Sequence, residues 1–97
     1  IKPETIIYIK ADNSYSEIYL EDGKKMTVSR SIKNFEDGLK QNNSFCRIHK
    51  SYLINTSYVE RYDKSNGGWI TLTNQTELPI STEKISDFLN MIDKISR

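Results

Sequence analysis

Short runs of β-branched and aromatic residues recur along this chain, each closed by a cluster of Asp, Asn, Ser or Gly, and that punctuation favours short antiparallel strands over longer elements. Residues 5–9, Thr-Ile-Ile-Tyr-Ile, run toward Asp12-Asn13-Ser14, whose side chains readily satisfy the backbone of a turn. Residues 15–20 alternate: Tyr15, Glu17 and Tyr19 fall on one face and Ser16, Ile18 and Leu20 on the other. Glu21-Asp22-Gly23-Lys24 then supplies a hairpin turn into a partner strand at 25–29. Further strands are expected at 58–62, 69–73 and 77–80, separated by Asn66-Gly67-Gly68 and Asn74-Gln75. Pro79 has no N–H to donate, which places the last of them at a sheet edge or at its own terminus.

Two segments follow a helical rhythm instead. Ser29 or Ser31 can accept from free backbone N–H groups ahead of Ile32, Phe35 and Leu39, which have helical spacing, and Phe35 and Leu39 are expected in the core. Gly38 costs that helix about 1 kcal/mol relative to Ala, so packing must hold it. Near the C-terminus Ser81 can cap a second helix, with Glu83 favouring its N-terminal dipole and Ile85, Phe88, Leu89, Ile92 and Ile95 forming an apolar stripe. The expected fold is mainly β with minor α: antiparallel sheets of short strands, one short inserted helix and one C-terminal helix.

A chain of 97 residues has room for one core, so residues 5–97 are read as a single domain and residues 1–4 as a linker remnant from a longer protein, the rest lying N-terminal. No apolar run approaches the roughly 20 residues of a membrane span. A single Cys46 cannot form an intramolecular disulfide, and a reducing, cytoplasmic setting fits best. The 14 Lys and Arg against 13 Asp and Glu give a net charge of +1, so any site for a polyanion must be a local patch.

Such a patch stands at residues 45–55, Phe-Cys-Arg-Ile-His-Lys-Ser-Tyr-Leu-Ile-Asn. Phe45, Ile48, Leu53 and Ile54 can anchor it in a core while Arg47, His49, Lys50 and Ser51 point outward as donors for phosphates and base edges. His49 has two readings, a structural or surface imidazole and a nucleic-acid contact. Cys46 and His49 invite a nucleophile–base reading, but residues three apart in an extended segment face opposite sides, and a buried structural cysteine is favoured. With one His, one Cys and no phosphate-loop or dinucleotide motif, no enzyme activity, catalytic residue, metal site or cofactor is expected. Tyr52 and Trp69 read as core, whereas Tyr15 is the exposed candidate for stacking on a single-stranded base.

The string Phe-x-Arg-Ile-His-x-Ser-x-x-x-Asn over 45–55, together with Ile6-Ile7-Tyr8-Ile9, Asn13-Ser14-Tyr15, Glu21-Asp22-Gly23, the 35–39 helix and Leu78-Pro79-Ile80-Ser81, resembles the LytTR family of bacterial DNA-binding domains. The resemblance implies elongated antiparallel β-sheets whose loops, rather than a recognition helix, enter the major groove of duplex DNA. It implies contacts at Asn13, Ser14 and Tyr15, at His49, Lys50 and Ser51, and at Ser81, Thr82 and Glu83. Arg30, Lys33 and Lys84 would contribute backbone contacts that set register. Family members commonly carry an arginine after the serine that ends the last strand, whereas this chain has Thr82-Glu83, which weakens the third contact. Also implied are a transcriptional regulator of the two-component response-regulator type, an N-terminal receiver or sensor domain, and a homodimer on paired or direct-repeat sites. The competing expectation is a protein-interaction or dimerisation module indifferent to DNA.

Overall fold

The computed structural model describes residues 2–96, with the side chains of the last helix described as far as Ile92. Ile1, the first residue of the expected linker, and Ile95, the last of the expected stripe, lie outside the described residues or side chains.

Strands β1 (Ile6–Asp12), β2 (Tyr15–Leu20) and β3 (Lys25–Val28) form a meander, followed by helix α1 (Ile32–Gly38). The hairpin β4 (Phe45–His49) and β5 (Tyr52–Asn55) comes next, then β6 (Val59–Asp63), β7 (Trp69–Leu72), β8 (Glu77–Pro79) and helix α2 (Ile85–Ser96). Every pairing is antiparallel, and the strands sort into a five-stranded sheet of order β3-β2-β1-β5-β4 and a three-stranded sheet of order β6-β7-β8. β8, which carries Pro79, is an edge strand, where a missing N–H costs no ladder bond.

The five-stranded sheet has a core on each face. On one, Ile6, Ile9, Ile18 and Leu53 are buried against Ile32 of α1, with Phe35 and Leu39 half-buried beside them. On the other, Tyr8, Cys46, Ile48 and Ile54 meet Ile70, Leu72 and Leu78 of the small sheet and Phe88 of α2. β1 serves both cores by alternation, and at the register shift between Ile6 and Tyr8 the adjacent Ile7 and Tyr8 both join the second. Tyr8 stacks on Tyr19 at 4.3 Å between ring centres, and burial pushes the Tyr8 hydroxyl well above its usual range.

Buried polar groups are answered. Ser16 Oγ donates to the Arg30 carbonyl at 2.6 Å, and Asn55 Nδ2 donates to the Ile6 carbonyl at 3.0 Å while its Oδ1 accepts from the Ser57 N–H at 3.0 Å. Among the described residues no buried side-chain nitrogen or oxygen lacks a partner. Ser31 caps α1, its Oγ accepting from the Asn34 N–H at 3.1 Å.

Three details differ from the sequence expectation. Trp69 pairs with Asp63 and Pro79 on the outer face of the small sheet and is 38% exposed, because the inward positions of β7 are Ile70 and Leu72. Leu89 is 41% exposed, since a helix lying on one side of a sheet buries a narrower stripe, here Ile85, Phe88 and Ile92. Ser81 makes no side-chain cap; a 3-10 turn, Thr82–Lys84, comes before α2. No helix among the described residues is long and apolar enough to cross a membrane.

Candidate nucleic-acid interface

The topology gathers three of the chain's turns at one end of the five-stranded sheet. Asp12 pairs with Tyr15, closing the β1–β2 turn on Asn13 and Ser14, and Asn13 takes φ +57°, a left-handed conformation that Asn tolerates better than most residues. His49 pairs with Tyr52, closing the β4–β5 turn on Lys50 and Ser51. Because β1 lies beside β5, the Ala11 N–H donates to the Ser51 carbonyl at 2.8 Å, and the two turns sit next to each other. Arg30 follows β3 at the same end, tied there by the bond from Ser16. The Ser81 N–H donates to the Ile48 carbonyl of edge strand β4 at 2.8 Å, which extends the row to the 82–84 turn.

Within this row Asn13, Ser14, Tyr15, Arg30, Lys50, Thr82 and Glu83 are exposed, and His49, Ser51, Ser81 and Lys84 are partly so. Tyr15 is 49% exposed, as its place at a strand's first residue predicts. His49 is more constrained than its neighbours: its Nδ1 accepts from the Ser51 N–H at 3.0 Å, and its ring lies 5.5 Å from that of Tyr52. That bond assigns the imidazole's proton to Nε2 when the ring is neutral, leaving a donor for a ligand.

Lys33 from α1, His49 and Lys50 from the β4–β5 turn, and Ser81, Glu83 and Lys84 line one shallow cleft of about 310 Å³. Sequence-predicted residues thus meet across three elements, while Asn13–Tyr15 and Arg30 stand further along the same end. Among the described residues Arg30, Lys50 and Lys84 form no ion pair, and Lys33 pairs only with Asp37, at an exposed 3.1 Å. These cations are available to a polyanion despite the small net charge.

Arg47 behaves differently from the outward-pointing donor expected of it. Its Nε donates to the His49 carbonyl at 2.8 Å, one terminal nitrogen donates to the Lys50 carbonyl at 2.7 Å, and the other donates to Glu36 Oε1 of α1 at 2.7 Å. The planar fork of a guanidinium suits three such acceptors at once, and a lysine ammonium does not. The β4–β5 turn is therefore pinned from inside and anchored to α1. Sequence reading missed Glu36, eleven residues away, since no local pattern links it to Arg47.

Cys46 is buried in the larger core, and burial pushes its thiol up to about 11, which leaves it unsuited to act as a nucleophile.

A family model described as the LytTr DNA-binding domain matches residues 1–93. The fold is similar to that of a solved LytTr DNA-binding domain from Bacillus cereus, described as part of a methyl-accepting/DNA response regulator. The TM-score is 0.83 at 20% sequence identity, over 95% of this chain and 84% of that one.

Proposed function

The chain belongs to the LytTr family of DNA-binding domains, and from that premise we propose that it binds duplex DNA sequence-specifically, as the output domain of a transcriptional regulator, through the row of turns at one end of its five-stranded sheet. The single observation that carries this reading is the alignment of Arg30, Asn13–Tyr15, His49–Ser51 and Ser81–Lys84 along that end, with cations that form no ion pair among the described residues. Four inter-strand steps of about 4.8 Å, and one more from β4 to the Ser81 segment bonded to it, give the row a length of roughly 24 Å. A major groove is about 12 Å wide, so the row reaches beyond a single groove.

The residues divide by chemistry. Lys50 is the main donor toward guanine O6 and N7 or a phosphate, with His49 Nε2 and the Ser51 hydroxyl beside it. Asn13 can pair with adenine N6 and N7, and Tyr15 packs against the sugar–phosphate backbone. Arg30, Lys33 and Lys84 hold phosphates and set register. Glu83 is the weak point, accepting from cytosine N4 where that base is present and repelling phosphate elsewhere. In this reading the domain follows a receiver domain of a two-component response regulator and binds paired direct repeats as a homodimer, whose avidity compensates for a modest single-site affinity.

Fluorescence anisotropy against duplexes carrying direct repeats, with scrambled duplex and single-stranded controls over a salt series, tests the proposal. Lys50→Ala should weaken duplex binding about tenfold and flatten its salt dependence, with thermal stability nearly unchanged, because the residue is exposed at a turn. Equal binding to single strands, or a large loss of stability in Lys50→Ala, counts against it.

A further inference from the structure

The smaller core is incompletely covered. α1 is one short helix packed over β1, β4 and β5, and a groove of about 390 Å³ remains between it and the β2–β3 side of the sheet. Its walls are apolar: Ile6, Ile18, Val28, Phe35 and Leu39. That volume is at the low end of ordinary ligand pockets, about 300–1,000 Å³, and admits a small molecule. Gly38 contributes to the space, since a Cβ built there would meet nothing within 4 Å.

Two polar residues, Arg30 and Asn34, stand in this otherwise apolar lining. The Arg30 guanidinium lies 5.9 Å over the Phe35 ring and has no anionic partner among the described residues. Its backbone is fixed on both sides: the N–H donates to the Val28 carbonyl at 2.8 Å, and the carbonyl accepts from Ser16. A cation beside a small apolar groove is complementary to an anion with an apolar body. A carboxylate meets the guanidinium fork with two parallel hydrogen bonds, and a Ser or Thr hydroxyl of a partner would not.

We propose that the groove between α1 and the β2–β3 side of the sheet is a binding site for small apolar monocarboxylates, with the carboxylate on Arg30 and Asn34 and the hydrocarbon against Phe35, Leu39 and Val28. Such a ligand would bind away from the β4–β5 turn, on the far flank of α1.

Titration of the 97-residue chain with 4-phenylbutyrate, followed by amide chemical shifts, tests this without nucleic acid, so its outcome is independent of the DNA-binding proposal. For a ligand of this size the expected dissociation constant is on the order of 0.1–1 mM. Shifts should be confined to residues 28–39 and the neighbouring parts of β1 and β2. Arg30→Gln should weaken 4-phenylbutyrate about tenfold and leave 4-phenylbutanol unaffected. Gly38→Met, which places a flexible apolar side chain toward the groove at a helical position, should abolish binding of both without lowering the thermal midpoint. Non-saturating shifts, shifts scattered over the surface, or equal affinity for acid and alcohol before and after Arg30→Gln would overturn the proposal.

Discussion

Arg47 sits in the most basic stretch of the chain, yet its donors turn inward, to the His49 and Lys50 carbonyls and to Glu36. This geometry makes an electrostatic prediction with an unusual sign. Glu36 lines the same cleft as Lys33, Lys50 and Lys84, so if charge alone mattered Glu36→Gln would strengthen binding of a polyanion. Holding the turn matters more: a charge-assisted hydrogen bond contributes about 1.5–3 kcal/mol, and if about half of that is felt in binding, loosening it should weaken duplex affinity about three- to tenfold. Arg47→Lys keeps the charge and loses the fork, so it should weaken binding with an unchanged salt slope; anisotropy over a salt series reads both. Tighter binding by Glu36→Gln would show that the clamp is dispensable. Cys46 offers a second residue-scale prediction. Burial raises its thiol from 9.0 to about 11, so the folded state favours the neutral form. Its contribution to stability is complete below about pH 9 and is lost as pH rises toward 11. At pH 8 the native thiol should react with a disulfide reagent only as fast as the protein opens, and at once in denaturant.

The β4–β5 hairpin illustrates, at the scale of elements, what was legible in the sequence. Alternation in β2, the Asp22-Gly23 turn, the edge position of β8 and the Ser31 cap all depend on neighbours within a few residues, and they emerge where the pattern places them. The alignment of the contact turns does not, because it needs β1 beside β5, a pairing of segments far apart in sequence that no local spacing encodes. Only the resemblance to a known family pointed to those residues together. Trp69 and Leu89 mislead for a related reason: apolarity alone does not say which face of an element a neighbour will cover. The junction of β7 with the segment leading to the 82–84 turn depends on Gly68, at φ +105°, where an added Cβ would lie 2.8 Å from Ile80 Cγ2. Gly68→Ala combines backbone strain with overpacking and should cost roughly 2–4 kcal/mol, read from denaturant unfolding. Asn55→Ala leaves the Ile6 carbonyl and the Ser57 N–H without their partner in a buried site and should cost roughly 2–3 kcal/mol. A loss below 0.5 kcal/mol in either variant would mean that the surrounding backbone relaxes.

For the whole molecule, a net charge of +1 means that affinity for DNA must come from how the charges are distributed. The sheet end carries Arg30, Lys33, Lys50 and Lys84 together with Glu36 and Glu83, and Glu36 is already paired with Arg47. If three or four of those cations each neutralise a phosphate, the logarithm of the binding constant should fall with the logarithm of salt at a slope of about −3 for one domain. Two copies on a paired site should approach about −6, and Lys50→Ala in both should reduce the magnitude by about 2. The same arrangement predicts sensitivity to phasing. Each copy presents its turns from one end of a rigid sheet, so two copies engage one face of the duplex only when their half-sites are a whole number of helical turns apart, about 10–10.5 base pairs. Inserting about five base pairs between the repeats should abolish the avidity gain and return the slope toward the single-domain value. A salt slope near zero, or one that stays near −6 after the insertion, would mean that the sheet end does not meet the phosphates as two phased copies.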